Sequence, residues 1–502
     1  MQRRARTTLG SLATALGWLG ARKAAGVAIV GLAGLALVAA PRAPTPLEAG
    51  TSLVGEDAEP GEGAAADASR PASIDADAGS YGDLARPPPR ARGADGASSA
   101  DGTSTADGDG TASEDAPRTT HRNLHVGCGC GKKADDPVED ALRWLTAHQS
   151  PDGGWEAEGW NAWCNRERSP DGASLEGAGR STSDVGVTGL ALLAFLGAGY
   201  SHRSEGPFGK VVGDGLRHLR EVQDAYGSFG DRRAGPHAAY GHAIAALAMV
   251  EAYGMTGSSV LLGPAQRALD STCAARNPDG VWRYGVRPGD DDSAVTGWMI
   301  MALKSAQLIN VYDGKAGKEP SLRYDERAFD AARAWFDTVT DPGTGRVGYQ
   351  RLGDDVFRPR GLANAFPAWK SESLTAVGML SRMFLGEDPK TSDAIGKGAD
   401  RCASLVPAWN TADGSVDMHY WYFGSVAIFR VGGARWKAWE AAMKPAIVDT
   451  QRRDTEFCAY KGSWDPVDVW GEEGGRVYAT AMMCLSLELW YRYDKVFGSK
   501  DD

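Results

Sequence analysis

The sequence predicts an all-α protein: a single closed ring of six helix pairs, preceded by a membrane-targeting segment and a disordered tether. Three observations support this prediction. A Leu-x3-Gln-x3-Gly-x-aromatic frame recurs along the chain, an apolar helix follows each copy, and a shift in composition places the folded mass after the first quarter of the 502 residues. The elements are justified below in chain order.

Residues 1–23 form a basic segment, and residues 24–40 (AAGVAIVGLAGLALVAA) are an uncharged apolar run. Such a pair is typical of a signal peptide or of a retained signal anchor. Pro41 directly after the run and the length of the basic segment favour the anchor. Positive charge ahead of the run predicts that the following chain lies outside the cytoplasm, either membrane-anchored or secreted.

Residues 41–135 are rich in Ala, Gly, Asp, Ser and Pro and poor in aromatic and β-branched residues. Such a segment cannot bury enough apolar surface to offset chain entropy, so we expect a disordered acidic tether. The formal net charge of the chain is -11, and the sequence has no basic stripe interleaved with aromatic residues. This charge pattern argues against nucleic acid as a partner.

The folded domain is expected from about residue 138 to residue 497. Its first helix, within ALRWLTAHQSPDGGW, has apolar residues at helical spacing and stops at a Pro- and Gly-containing turn. The frame Leu145, Gln149, Gly153, Trp155 is repeated as Leu219, Gln223, Gly227, Phe229. Degenerate copies end at Trp282, Val347 and Val416, and a sixth copy, from Ile447 and Gln451, reaches Trp464 after an insertion.

A second helix, apolar on nearly all sides, follows each copy of the frame. Such helices must be buried, whereas the first members are amphipathic and should form an outer layer. Small residues at one shared position would let the inner helices approach closely: Gly189, Ala243, Gly297, Gly378, Gly424 and Ala481. The predicted inner helices are 185–199, 240–254, 294–306, 374–386, 420–433 and 477–493. Ring closure would pack the last pair on the first, so that no capping repeat is needed.

The frame resembles the QW repeat of squalene and other terpene cyclases, and the six pairs resemble the α/α toroid that these cyclases share with protein prenyltransferase β subunits. The resemblance spans residues 138–497 and is more specific for fold than for activity. GDDDSAV (289–295) is similar to the Asp-x-Asp-Asp-Thr-Ala motif of class II terpene cyclases, with Gly289 in place of the first aspartate. The resemblance implies that Asp291 protonates an alkene beside Asp292.

Counting five residues back from the small residues gives the inner-helix starts, which should share one mouth of the ring: Asp184, Ala238, Asp292, Ser373, His419 and Arg476. Polar residues at such starts are also suited to be helix N-caps. Adjacent acids raise one another's pKa, whereas a helix N-terminus favours the ionised form. Both roles therefore stay open for Asp291 and Asp292.

The same register places further polar and aromatic residues near the mouth: His237, Tyr240, His242, Asp290, Tyr420, Trp421 and Tyr422. They either fill the ring or line a pocket for an isoprenoid or lipid tail. We expect no cofactor and no metal. The Cys-x-Cys of VGCGCGKK (126–133) has no second ligand pair, and His419 lacks the Asp-x-Cys partner that accompanies the zinc histidine of prenyltransferases.

Two functions follow from these observations. The first is a membrane-tethered, non-catalytic toroid that binds a ligand or a protein partner. The second is a class II terpene-cyclase-like enzyme, of isomerase or lyase type, acting on an isoprenoid. The first is favoured because squalene-type cyclases use two helical barrels, whereas this chain has helices for one, and because Gly289 interrupts the acidic motif. A dry cavity over Asp291 would favour the enzyme.

Overall fold

The computed structural model describes residues 136–163, 176–230, 235–453 and 459–497. The predicted membrane segment and nearly all of the tether lie outside the described residues. Among the described helices, none combines the length and the apolar character needed to cross a membrane. Apart from two isolated bridges, the described residues contain no β-structure, which confirms the expectation of an all-α domain.

Twelve α-helices lie in the described ranges. The odd-numbered helices bury one face: α1 (Pro137–Ala147), α3 (Pro207–Val222), α5 (Ser259–Ala275), α7 (Arg327–Val339), α9 (Asp393–Ser404) and α11 (Gly433–Val448). The even-numbered helices are buried over most of their surface: α2 (Asp184–Gly197), α4 (Pro236–Thr256), α6 (Ser293–Lys315), α8 (Ser373–Phe384), α10 (Met418–Val431) and α12 (Gly471–Phe497). Helix α12 is broken at Gly475, whose φ of 61° is left-handed.

The even-numbered helices pack against one another in chain order. Helix α2 contacts α4, and the series continues through α6, α8 and α10 to α12. Helix α12 in turn contacts both α2 and α1. The predicted inner helices begin close to the observed ones. Helix α6, however, runs to Lys315 rather than to residue 306, because Leu308 and Ile309 are also buried.

The glutamine of the repeated frame joins neighbouring outer helices. Gln149 Nε2 donates to Gly153 O of its own turn (2.8 Å) and to Val211 O of α3 (2.9 Å). An amide suits this position because its nitrogen carries two protons. The two other intact glutamines repeat the arrangement: Gln223 with Gly227 O (3.1 Å) and Pro264 O (3.0 Å), and Gln451 with Gly462 O (3.0 Å) and Pro137 O (2.8 Å).

The aromatic residue that ends the frame joins an outer helix to its inner partner. Trp155 is 1% exposed; its Nε1 donates to Leu145 O of α1 (2.8 Å), and its backbone N–H donates to Thr188 Oγ1 of α2 (2.9 Å). Trp282 and Trp464 repeat both bonds with Thr272, Thr296, Ile447 and Thr480. Phe229, which has no ring donor, keeps only the backbone bond, to His242 Nδ1 (3.2 Å).

Close helix approach explains one of the small residues. A Cβ on Gly189 would lie 2.9 Å from the backbone nitrogen of Ala245, so only glycine permits this spacing of α2 and α4.

The hydrogen bonds also correct the predicted register in the fourth and fifth repeats. Val347 N–H donates to Thr375 Oγ1, the equivalent of Thr296, so the start equivalent to Asp292 is Ser371 rather than Ser373. In the fifth repeat the cap is Asp417, which places His419 two residues into the helix.

Candidate functional site

A cavity of about 320 Å³ lies among the N-terminal ends of the even-numbered helices. All six of these helices contribute to its wall, together with Tyr284 and residues 357–360. Aromatic rings form much of the lining, among them Tyr240, Trp298, Trp470 and Tyr478. The result is a largely apolar chamber whose few polar atoms are identifiable one by one.

Helical periodicity brings these side chains to one surface. Tyr240 and Ile244 of α4 are four residues apart, as are Ala294 and Trp298 of α6. Residues at this spacing lie one above the other on a helix face. Each helix therefore presents its first two turns to the cavity, and the six starts jointly enclose it.

Three residues of the predicted pocket line this cavity: His237, Tyr240 and His419. His237 lies at the rim, with its Nε2 3.5 Å from Glu473 Oε2. The His419 ring packs against Phe423, with ring centroids 4.7 Å apart, and against Trp298 at 6.2 Å. Burial lowers the pKa of His419 to about 4, so its imidazole is neutral at physiological pH.

The acidic motif is arranged differently from the prediction. Asp291 Oδ1 accepts hydrogen bonds from Val281 N–H (2.9 Å) and Asn277 Nδ2 (2.7 Å), and so holds the turn that precedes Trp282. Asp290 is exposed and pairs with Arg283. The Asp291 carboxylate is therefore engaged in holding this turn.

Asp292 is the shielded acid of the motif. It is fully buried, and its Oδ1 caps α6 by accepting from Val295 N–H (2.7 Å). Burial raises the pKa of Asp292 to about 7. Its Oδ2 accepts from Tyr349 OH (3.3 Å), and the Tyr349 and Tyr284 hydroxyls lie 2.6 Å apart. Asp292 thus lies behind a layer of tyrosines and does not itself line the cavity.

A second buried acid, Asp468, is hydrogen-bonded to a tyrosine that lines the cavity, and sequence analysis missed it. Asp468 Oδ2 accepts from Tyr478 OH (3.0 Å) and from Met418 N–H (3.0 Å). Burial, and then the nearby Asp417, raise the pKa of Asp468 to about 7. Asp417 pairs with Arg358, at 3.4 Å, and caps α10. The Asp417 cap was readable from the sequence, but Asp468 lies in an irregular segment without a local signal.

Four predicted pocket residues lie on the even-numbered helices but do not line the cavity. His242 accepts from Phe229 N–H, and its Nε2 lies 3.1 Å from Thr272 Oγ1. Tyr420 OH donates to Cys402 O and Leu405 O, both at 3.1 Å. These placements differ from the predicted pocket because successive residues of a helix point about 100° apart. Only some of the residues at each helix start can therefore face the cavity. The other two are Asp184, which accepts from Ala157 N–H (2.8 Å), and Arg476, which pairs with Asp465 (2.7 Å).

The last two predicted aromatic residues, Trp421 and Tyr422, also lie away from the cavity. Tyr422 lines a separate, small cavity of about 30 Å³ near Glu251 and Ser305, and Trp421 is buried beside Trp409. Across the described ranges, no group of three or more His, Cys, Asp or Glu side chains is arranged to hold a metal ion.

No family model and no curated protein matches the sequence. Solved structures similar to this chain include an α-1,6-mannanase from Salegentibacter (10% identity, 71% of this chain and 100% of that chain, TM-score 0.45). A cellobiose 2-epimerase from Bacillus thermoamylovorans is similar at 13% identity (70% and 97%, TM-score 0.42).

A type II terpene cyclase from Scytonema is similar at 14% identity (70% and 96%, TM-score 0.41). At these identities and TM-scores the likenesses identify no activity for this chain.

Proposed function

We propose that this protein is a membrane-tethered toroid that binds an apolar molecule, of isoprenoid or lipid type, without transforming it. The observation that carries the proposal is the largely apolar cavity of about 320 Å³ enclosed by the starts of the even-numbered helices. Its volume falls within the range of ligand pockets, about 300–1,000 Å³. Filling such a chamber with hydrocarbon gains about 25 cal/mol for each Å² of apolar surface removed from water.

The polar atoms of the wall disfavour a strongly hydrophilic ligand. A sugar carries many hydroxyls, each of which loses water on binding and needs a hydrogen-bond partner. The hydroxyls of Tyr284 and Tyr478 already bond to Tyr349 and Asp468. Few free partners are left for a carbohydrate, whereas an apolar chain needs none.

The placement of the acids favours binding over catalysis. A general acid must lie within hydrogen-bond reach of the atom it protonates. Asp291 holds a turn, and Asp292 is separated from the cavity by Tyr349 and Tyr284. Burial raises the pKa of Tyr284 to about 12, which makes this hydroxyl a weak acid for protonating an alkene. Turnover of a polyprene that depends on Asp292 would favour the cyclase alternative.

The predicted anchor and tether at the N-terminus are the basis for proposing that the domain is attached to a membrane. A retained anchor at 24–40 would hold the domain outside the cytoplasm, at the surface of the membrane where apolar molecules concentrate. A flexible tether of the length of 41–135 has an end-to-end distance of about 50–60 Å. The domain would therefore stay within reach of the bilayer without a membrane-spanning helix of its own.

The domain itself we propose to be a single closed α/α toroid of six helix pairs. The order of contacts from α2 to α12 and back to α2 supports this arrangement. So does the bond from Gln451 to Pro137 O, because it repeats at the seam the bond that Gln149 and Gln223 make between consecutive outer helices.

Gln451→Ala is expected to lower the free energy of unfolding by about 1–3 kcal/mol, because it leaves two buried carbonyls without their donor. Gln223→Ala, which removes the same pair of bonds inside the ring, is the matched control and should cost a similar amount. Urea unfolding measures both. An open arrangement predicts that Gln451→Ala costs clearly less than Gln223→Ala, because only the bond to Gly462 O would then be lost.

Ala294→Trp is expected to abolish binding, because Ala294 lines the cavity and an indole there occupies the space of the ligand. The test is photo-crosslinking of the full chain in nanodiscs with a diazirine-bearing farnesol analogue. The wild type should be labelled on α4, α6 and α12. Val260→Trp, on an exposed face of α5, is the control and should label like the wild type. Labelling confined to outer helices, or unaffected by Ala294→Trp, would contradict the proposed function.

A further inference from the structure

On the part of the cavity wall that α8 and α10 form, two polar side chains make no hydrogen bond to another described residue. One is Ser373, the first residue of α8, which is 6% exposed. The other is His419, near the start of α10, whose ring nitrogens make no described hydrogen bond. The tyrosine hydroxyls of the wall differ, because Tyr284 and Tyr478 are bonded to groups behind them. Ser373 and His419 thus lie on two neighbouring helices, α8 and α10.

Both side chains border the cavity, and His419 is only partly buried there. A polar group that a ligand seals off from water loses its hydrogen bonds to that water, and the loss is unfavourable unless the ligand supplies a partner. A ligand that carried one matching group would satisfy them on binding, whereas a pure hydrocarbon would bury them unpaired.

The hydrogen-bonding chemistry of Ser373 and His419 defines the ligand group that would complement them. A serine hydroxyl is both donor and acceptor, and a neutral imidazole has one donor and one acceptor nitrogen. Burial keeps His419 neutral by lowering its pKa to about 4. Packing against Phe423 and Trp298 fixes the ring in place. Neither group carries charge, so the complementary ligand group is a neutral oxygen that donates, accepts or does both.

A charged head group on the ligand would find fewer complementary side chains inside the cavity than a neutral oxygen would. The cation of the lining, Arg360, is exposed at the rim, where water screens its charge. The other charged lining residue, Glu473, is anionic and faces His237. Ser373 and His419, in contrast, are neutral polar groups among the starts of the even-numbered helices.

We propose that the ligand of this cavity is an apolar molecule with a single neutral hydroxyl or carbonyl oxygen, which Ser373 and His419 hold by hydrogen bonds. The inference rests on the proposed function and narrows its ligand class to a polyprenyl or sterol-like alcohol or ketone. It makes Ser373 and His419 the residues that determine specificity between an alcohol and a hydrocarbon of the same skeleton.

The test is competition against the diazirine probe on the full chain in nanodiscs, with farnesol, farnesene and farnesyl phosphate as competitors. Each apparent affinity is corrected for the measured partition of the competitor into empty nanodiscs. Farnesol is expected to bind about tenfold more tightly than farnesene, which corresponds to one net hydrogen bond. Ser373→Ala and His419→Phe should each reduce that preference at least threefold without weakening farnesene binding.

Ser486→Ala is the matched control, since Ser486 is also buried but its hydroxyl bonds to Met482 O, away from the cavity. Melting temperatures show that each variant is folded, and Ser373→Ala is the milder change should His419→Phe fail to fold. Equal binding of farnesol and farnesene, or a loss of both in the variants, overturns the inference but leaves the proposed function standing. No competition by any of the three overturns both. Tighter binding of farnesyl phosphate that Arg360→Gln abolishes assigns an anionic ligand and overturns the inference.

Discussion

Replacing Trp282 with alanine is expected to lower the free energy of unfolding by about 3–5 kcal/mol, as large-to-small changes of buried aromatic residues do. Trp282 is 0% exposed and lies at the turn between α5 and α6. Its indole nitrogen donates to Thr272 O (2.8 Å), which alanine would leave buried without that donor. The loss therefore combines a cavity with an unsatisfied carbonyl. Urea unfolding followed by far-ultraviolet circular dichroism measures it.

Trp282→Phe separates the two contributions. Phenylalanine keeps most of the apolar volume and lacks the donor, as Phe229 does at the equivalent position of the second repeat. We expect a cost of about 1–2 kcal/mol for this variant, close to one buried hydrogen bond plus a small void. Equal costs for Trp282→Ala and Trp282→Phe would show that the ring volume contributes nothing, contrary to the packing described here.

The free energy of unfolding is expected to fall by about 2–3 kcal/mol between pH 5 and pH 8 through Asp292 alone. Burial raises the pKa of this carboxyl to about 7 in the folded state, from its ordinary value of 3.8. The folded protein therefore binds more protons than the unfolded chain between these two values. The contribution is fully present below pH 4 and is lost as the pH rises through 7.

Asp292→Asn tests this expectation, because asparagine resembles the protonated acid and can still cap α6. Between pH 5 and pH 8, the free energy of unfolding of the variant should fall by about 2–3 kcal/mol less than that of the wild type. At pH 8 the variant should be more stable than the wild type. Asp468→Asn is the parallel variant, since burial also raises the pKa of Asp468 to about 7. Asp291→Asn removes a neighbouring carboxylate and is the control for the loss of one negative charge. An unaltered slope in Asp292→Asn would show that this carboxyl is not the group that titrates.

The alternation of outer and inner helices could be predicted because its signals are local. Each copy of the frame encodes its own helix end and turn, and the apolar character of the inner helices reports burial directly. The hydrogen bonds of Gln149, Gln223 and Gln451 show why the frame recurs, since each glutamine must reach both its own turn and the next outer helix.

Only part of the site could be predicted, because the spacing of residues in the sequence does not give the direction in which each side chain points. Asp291 and Asp292 are adjacent, yet one carboxylate turns towards Val281 and the other towards Val295. Tyr284 and Tyr349 reach the site from loops that carry no periodic signal. In the fourth and fifth repeats, the small residues Gly378 and Gly424 lie two positions later than the register of Thr375 and Asp417 requires. The positions counted back from them, Ser373 and His419, are therefore two residues beyond the equivalents of Asp292.

The contact between the two ends of the domain has a consequence for its synthesis on the ribosome. Gln451 and Pro137 are 314 positions apart, and α12 is the last described helix to leave the exit tunnel. Until then, the faces of α1 and α2 that α12 covers have no partner, and such apolar surfaces promote aggregation of nascent chains. Loop closure over so many residues also slows folding. We therefore expect chains truncated before α12 to be captured by chaperones to a greater extent than chains that include α12.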